Sequence, residues 1–231
     1  MPTQEPADIQ TVPALPHGLK LRKDERGLVL VGADGMELIG DFSQMARRIQ
    51  PAKLAHELIW RAVKIKGVDH LRVIDATAGL GEDSFLLAAA GAQVTLCERD
   101  PTIAALLKDA LLRAEKDQVL APIVSRMELL VEDSTQLLAR VGTERCAPDV
   151  VFLDPMFPAR QKSALVKKKL QLIQRLEQPC QDEQELMSAA WLAHPRKIVV
   201  KRPAKGPYLA GAKPSYSLAG KAVRFDCYVN C

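Results

Sequence analysis

Val73-Ile74-Asp75-Ala76-Thr77-Ala78-Gly79-Leu80-Gly81-Glu82-Asp83 is the stretch on which the fold class turns. An apolar run ends on an acid, a loop with two glycines follows, and a helical pattern begins. Glycine lets a backbone turn tightly and approach a ligand without interference from a Cβ. Gly79 and Gly81 have the spacing that opens the dinucleotide fingerprint GxGxxG, but Ser84 stands where the third glycine belongs. Charge separates the two patterns further. Glu82 and Asp83 occupy the helix N-terminus, where a pyrophosphate needs bare N–H groups, and Asp75 adds a third carboxylate. A pocket of that sign repels a diphosphate and suits a cofactor carrying a sulfonium and an ammonium.

Working outward, strands and helices alternate. Residues 71–75, 93–97, 127–131, 150–153, 197–201 and 223–229 read as strands. Residues 82–90, 101–116, 135–140 and 180–193 read as helices, the first stopped by Gly91 and the second opened by Pro101. Alternation of this kind predicts an α/β fold: a mostly parallel sheet covered by helices on both faces. Ligands of such sheets bind outside the carboxyl ends of the strands. Upstream, residues 1–18 hold four prolines and read as a loose arm. Residues 19–66 form a small extension. Strands over 19–22, 28–31 and 36–39 make an antiparallel meander, and 51–66 is one helix with Pro51 in its first turn and Leu54, Leu58 and Ile59 on one side. The main domain is expected over 67–231.

Two more acids fall at strand ends. Glu98 lies 23 residues after Asp75, where a carboxylate can accept from both hydroxyls of an adenosine ribose. That role serves a dinucleotide and S-adenosylmethionine alike. Glu132-Asp133-Ser134 follows the third strand. An acid there can accept from an adenine amino group while Ser134 and the backbone bind a ring nitrogen; equally, an Asp-Ser pair is what a helix N-cap looks like.

The chemistry is most legible in Val150-Val151-Phe152-Leu153-Asp154-Pro155-Met156-Phe157-Pro158, an apolar strand running into acid-Pro-x-aromatic-Pro. Both prolines fix their own φ and restrain the residue before them, so the loop is stiff. An exocyclic base amine is a poor nucleophile, because its lone pair is delocalised into the ring. Asp154 and the Pro155 carbonyl can each accept one of its N–H groups, orienting it and supporting the charge that develops. Phe157 can stack on the base once it leaves its helix or loop. No metal or covalent nucleophile is needed. Arg160, Lys162, Lys167, Lys168 and Lys169 follow directly and are candidates for RNA phosphates, joined by Lys201 and Arg202 after the fifth strand; a lysine run is also what the solvated face of a helix looks like.

The bounds agree with this. The chain has 231 residues, 48% hydrophobic and 26% charged, with a formal charge of +4, which permits a nucleic-acid partner without demanding one. Cys97, Cys146, Cys180, Cys227 and Cys231 are scattered with no CxxC pair, which argues against a disulfide framework or a structural zinc and for a reducing compartment. Cys97, in an apolar run, is expected to be buried and inert. No run reaches the roughly 18 apolar residues of a membrane span, and the opening MPTQEPADIQ lacks the apolar core of a signal peptide; a cytoplasmic protein is expected.

DATAGLGED (75–83), LCERDP (96–101), LDPMFPARQKSALVKKK (153–169), VVKRP (199–203) and RFD (224–226) together resemble the bacterial 16S small-subunit ribosomal RNA guanine-N2 methyltransferases whose name specifies guanine 1516. The resemblance covers most of residues 45–230. It implies a class I, S-adenosylmethionine-dependent methyltransferase fold, with a Rossmann-like seven-stranded sheet whose last strand is antiparallel. It also implies cofactor contacts at Gly79, Gly81, Glu82-Asp83, Glu98-Arg99, Asp133-Ser134 and Asp154, and ribosomal RNA as the partner. Glu82 stands where arginine is common in that family, so its backbone is the expected contact. The residues leave two other classes open: a base-amine methyltransferase acting on DNA adenine or another RNA, which the Asp-Pro-x-Phe loop suits equally, and a non-catalytic RNA-binding assembly factor or nucleotide-dependent oxidoreductase. Glu82 and Asp83 count against the oxidoreductase; intact Asp154 and Glu98 count against the dead scaffold.

Overall fold

The computed structural model describes residues 15–16, 18–144, 146–155, 172 and 183–230. Strands β1 (Leu19–Asp24), β2 (Gly27–Gly32) and β3 (Glu37–Leu38) form the expected antiparallel meander. Its apolar face is leucine-rich: Leu19, Leu28, Leu30 and Leu38 bury together with Leu106 and Leu172.

The single helix expected over 51–66 is two, α1 (Pro51–Leu54) and α2 (Leu58–Val63). Glu57 is extended, with φ −60° and ψ 126°, and Arg48 grips its carboxylate with two bonds of 2.8 Å each. The break lets Leu54, Ile59, Ala62 and Val63 all reach the core; one straight helix would carry part of that set round its axis to solvent. A 3-10 turn at Phe42–Met45, which periodicity did not reveal, buries Phe42 and Met45 in the same core.

The main sheet is built from β4 (Arg72–Asp75), β5 (Gln93–Cys97), β6 (Met127–Leu130), β7 (Val150–Leu153), β8 (Lys197–Pro203), β9 (Tyr216–Ala219) and β10 (Val223–Val229). The helices between them are α3 (Glu82–Ala89), α4 (Pro101–Ala114), α5 (Ala121–Val124), α6 (Ser134–Thr143) and α7 (Glu183–Leu192). Strand order is β6-β5-β4-β7-β8-β10-β9. The pairs from β6 to β8 are parallel, and β10 is antiparallel to both neighbours. A parallel return needs a long crossover; the short 220–222 link between β9 and β10 permits only a hairpin.

Alternation along β7 fixes the two layers. Val150 and Phe152 face the core under α2, α3 and α4, while Val151 and Leu153 face the one under α6 and α7. Chain order runs outward through β5 and β6 on one side of β4 and through β7 and β8 on the other. The crevice at this reversal lies above the carboxyl ends of β4 and β7. Cys97 is buried, as expected, and burial together with Glu132 and Glu98 pushes its thiol up to about 12. Among the described residues no helix is long and apolar enough to cross a membrane.

Candidate active site

Asp75 ends β4 and is 1% exposed. Its Oδ1 accepts the Thr77 N–H at 3.1 Å and its Oδ2 the Ser84 hydroxyl at 2.5 Å. It therefore braces the glycine loop from beneath, a correction to the third carboxylate expected in the pocket. Ser84, which breaks the dinucleotide fingerprint, is what ties the first turn of α3 to that brace. Burial pushes the Asp75 carboxyl up to about 7, against the pull of Ser84 and Thr77.

A carboxyl raised in this way favours the folded state at low pH. Its contribution is whole below the unfolded value of about 4 and is lost as pH rises through about 7. The wild-type chain is expected to lose stability on the order of 4 kcal/mol across that window, at about 1.4 kcal/mol per pKa unit. Asp75→Asn should flatten the dependence in urea unfolding at pH 5–8. An undiminished slope in the variant would assign the effect to other groups.

Above the brace, Gly79 (φ +55°) and Gly81 (φ +75°) are both left-handed. A Cβ at Gly81 would meet Leu107 Cδ1 at 2.8 Å, whereas one at Gly79 would meet nothing within 4 Å. Gly81 thus keeps the loop packed down and Gly79 borders open space. The N-terminal extension supports this loop from behind: the Phe42 ring stacks on Phe85 of α3 at 4.7 Å and 12°, a contact worth about 0.5–1.5 kcal/mol beyond its buried area.

Glu98 follows β5 and is 4% exposed. Its Oε2 accepts the Gly79 N–H at 2.9 Å and its Oε1 the Asp100 N–H at 2.8 Å. It fixes the loop to the neighbouring strand end, and a carboxylate has acceptor sites beyond two such bonds. Asp133 is the N-cap of α6, accepting from Thr135 N at 2.9 Å and Thr135 Oγ1 at 2.5 Å. The capping role is real, and its Oδ2 lies 3.9 Å from the Arg99 guanidinium. Ser134 opens α6 beside it, and Glu82 is exposed at the start of α3.

Asp154 and Pro155 follow β7. The Asp154 N–H donates to Thr77 Oγ1 at 2.6 Å, which locks the acid-proline turn to the glycine loop. Lys201 of β8 then bridges two carboxylates: its Nζ is 2.8 Å from Asp154 Oδ2 and 2.5 Å from Asp83 Oδ2. Burial raises the Asp154 carboxyl, with Lys201 opposing and Asp83 adding to the rise. Burial also works against the Lys201 ammonium, but Asp83 and Asp154 outweigh it and hold it above its ordinary value.

Two of the residues expected on RNA phosphates are thereby reassigned. Lys201 is spent on Asp83 and Asp154. The Arg202 side chain is 0% exposed, with NH1 3.3 Å from Glu183 and Nε donating to the Pro207 carbonyl at 2.8 Å. Phe157, Arg160, Lys162, Lys167, Lys168 and Lys169 lie outside the described residues. Thr77, Ser84 and the bridging role of Lys201 were missed by sequence reasoning.

What results is a crevice whose wall carries the acceptors Glu98, Asp133 and Asp154 around a glycine with open space beside it. That acceptor set suits an adenosine with ribose hydroxyls and a cationic sulfur chain, and it is hostile to a pyrophosphate. A separate cavity of about 430 Å³ lies at the other end of the sheet, bordered by Arg72, Gln93, Arg126 and Cys146, and shares none of these residues. Among the described residues no cluster of His, Cys, Asp and Glu has the makings of a metal site.

The model of a family described as "Putative SAM-dependent methyltransferase" matches residues 10–230. The chain is 48% identical over 176 residues to a Thioalkalivibrio sulfidiphilus protein named Ribosomal RNA small subunit methyltransferase J, covering 76% of this chain and 69% of that one. A Pseudomonas aeruginosa protein of the same name is 43% identical over 226 residues, 91% and 86% of the two chains. A third, from Pseudomonas paraeruginosa, is 50% identical, and the match spans 65% of its length. Among solved structures, a SAM-dependent methyltransferase from Neisseria gonorrhoeae superposes with a TM-score of 0.75 at 34% identity, covering 94% of this chain and 86% of that one.

Proposed function

Since this chain belongs to the SAM-dependent methyltransferase family and S-adenosylmethionine is its cofactor, we propose that it methylates the exocyclic N2 of a guanine in 16S small-subunit ribosomal RNA. The observation that carries the reading is the Asp154-Pro155 turn, bonded through Thr77 to the glycine loop. An acceptor pair for an amine is thereby held rigidly beside the glycine loop.

When bound, S-adenosylmethionine supplies a methyl carbon made electrophilic by its sulfonium. The chain does the rest. Glu98 accepts from ribose hydroxyls, and Asp133 with Ser134 borders the adenine. Asp154 and the Pro155 carbonyl each take one N–H of the target amine, which turns its nitrogen lone pair toward the reacting carbon. Positive charge grows on the nitrogen as it reacts, and the carboxylate stabilises that charge more than it stabilises the neutral amine. The methylated nitrogen then sheds a proton, which Asp154, its carboxyl raised by burial, is placed to accept. Phe157 stacks on the displaced base, and Arg160, Lys162, Lys167, Lys168 and Lys169 hold flanking phosphates.

Ribosomal RNA as substrate draws support from what the relatives are named, and guanine N2 from the family resemblance of the Asp154–Lys169 motif. Mass mapping of modified nucleosides in 16S ribosomal RNA, from cells with and without the protein, tests both. One N2-methylguanosine should vanish in its absence. An unchanged map, with labelled methyl going to DNA adenine instead, would overturn the reading.

A further inference from the structure

The structure also points to where the RNA strand flanking the target would run. We infer that the paired turns beyond the carboxyl end of β8, residues 203–208 and 219–222, bind that strand, with Lys205 and Lys221 on its phosphates and Tyr208 stacking on a base. The inference rests on the proposed function and adds a surface to it.

Residues 186–225 contain no Asp or Glu but eight Lys and Arg. Four of these cations are used internally. Lys197 Nζ donates to the carbonyls of Ala62 and Lys64 at 2.9 Å each; Lys201 and Arg202 are held as described above; Arg224 is buried against Asp226 at 2.9 Å. Lys205 and Lys221 are exposed, and among the described residues neither has an acidic partner. The Ala204 N–H donates to the Ala222 carbonyl at 3.0 Å. Lys205 and Lys221 each lie one residue beyond that bond, so the two paired turns each carry one exposed cation, an arrangement suited to a polyanion. The turn begins just after Lys201, whose ammonium is 2.8 Å from Asp154, which puts the lysine pair at the catalytic end of the sheet.

Tyr208 supplies the second half of the surface. It is 39% exposed, and its ring lies 4.9 Å from the Arg224 guanidinium carbon. That guanidinium also receives the turn's backbone, donating to the carbonyls of Gly206 at 2.8 Å, Ala204 at 3.2 Å and Pro207 at 3.3 Å. Farther along, the Ala210 N–H donates to Glu183 at 2.9 Å, with Ala210 held at φ +50°. An exposed aromatic on a backbone this constrained loses little freedom on stacking, and a base stacked on an aromatic ring together with lysines on the backbone is how proteins grip single strands.

The test uses the full chain and unmodified 16S ribosomal RNA transcribed in vitro. Lys205→Ala/Lys221→Ala should raise the RNA KM about tenfold at physiological salt. It should also lower the slope of log affinity against log salt by about 1.4, at roughly 0.7 per single-strand phosphate. Tyr208→Ala should weaken RNA binding at least about fivefold and Tyr208→Phe should restore it. Calorimetric uptake of S-adenosylmethionine should stay at the wild-type value in all of them. RNA affinity and salt slope unchanged in the lysine variant would overturn the surface. So would variants that methylate free RNA normally and fail only on assembled small subunits, since that pattern assigns the turns to a protein partner. If the wild-type chain accepts neither this RNA nor small subunits that lack the modification, the proposed function falls and the surface with it; activity on either substrate keeps the function standing and leaves the variants to decide the surface.

Discussion

Asp154→Ala should slow methyl transfer by about 10²–10³-fold, the usual loss when one preorganised group facing transition-state charge is removed. The size follows from how the residue is held. Its backbone N–H is fixed by Thr77 at 2.6 Å, and Pro155 restrains its ψ. Truncating the side chain therefore deletes the carboxylate and leaves the turn in place. Cofactor affinity should fall but stay measurable by calorimetry, because Glu98 and Asp133 keep their own anchors in Asp100 and Thr135. Lys201 keeps Asp83 as a partner at 2.5 Å, which limits the structural damage. Asp154→Asn keeps one acceptor oxygen but loses the charge, so it should fall between wild type and alanine in kcat with little change in RNA KM. Near-normal turnover in the alanine variant would remove Asp154 from the reaction.

The parts of this site that could be read from sequence are those in which one residue type answers one backbone or chemical demand. Gly79 and Gly81 have positive φ, and the strand–loop–helix reading asked for such residues there. Asp154-Pro155 announced a stiff acid at a strand end. Ser84 and Thr77 are illegible in sequence because each side chain works through one hydrogen bond to a residue that does carry a signal, Asp75 and Asp154 respectively, and a lone hydroxyl residue carries no periodic signal. Strand β9 escaped notice because three of its four residues are exposed and its backbone pairs with β10 alone, so it has no apolar stripe. The break between α1 and α2 was hidden for the opposite reason: Leu54 and Leu58 do fit one helical face, and only the tertiary demand to bury Ile59, Ala62 and Val63 as well shows that they do not share one helix. Lys201-Arg202 is the instructive error. Read as a basic pair, it suggested one patch. On a strand, adjacent side chains point to opposite faces, which sends Lys201 toward Asp83 of α3 and Arg202 toward Glu183 of α7. The period-2 rule alone would have split the pair.

Lys201→Met carries the second large effect, and its signature is a shift along the pH axis. In the wild type one ammonium lies between two carboxylates, at 2.5 Å from Asp83 and 2.8 Å from Asp154. Methionine keeps most of the volume and removes the charge. Two acids are then left facing each other in a half-buried site, and the Asp154 carboxyl, without its cation, holds its proton to higher pH than before. Lys201 lowers the Asp154 carboxyl and Asp83 raises it, so deleting the lysine moves Asp154 upward on both counts. A neighbouring cation is worth about 1–3 pKa units to a carboxylate. The acid limb of the kcat profile should accordingly move to higher pH by roughly one unit or more. On the acid side of the shifted limb the variant should lose turnover that the wild type keeps, with recovery as pH rises and Asp154 ionises again. Lys201→Arg, which restores a cation, should bring the limb back even if its longer reach costs some rate. A lysine that merely packed would give a uniformly lower rate at every pH. That flat loss, with the acid limb unmoved in the methionine variant, would show that the ammonium does not set the charge state of Asp154.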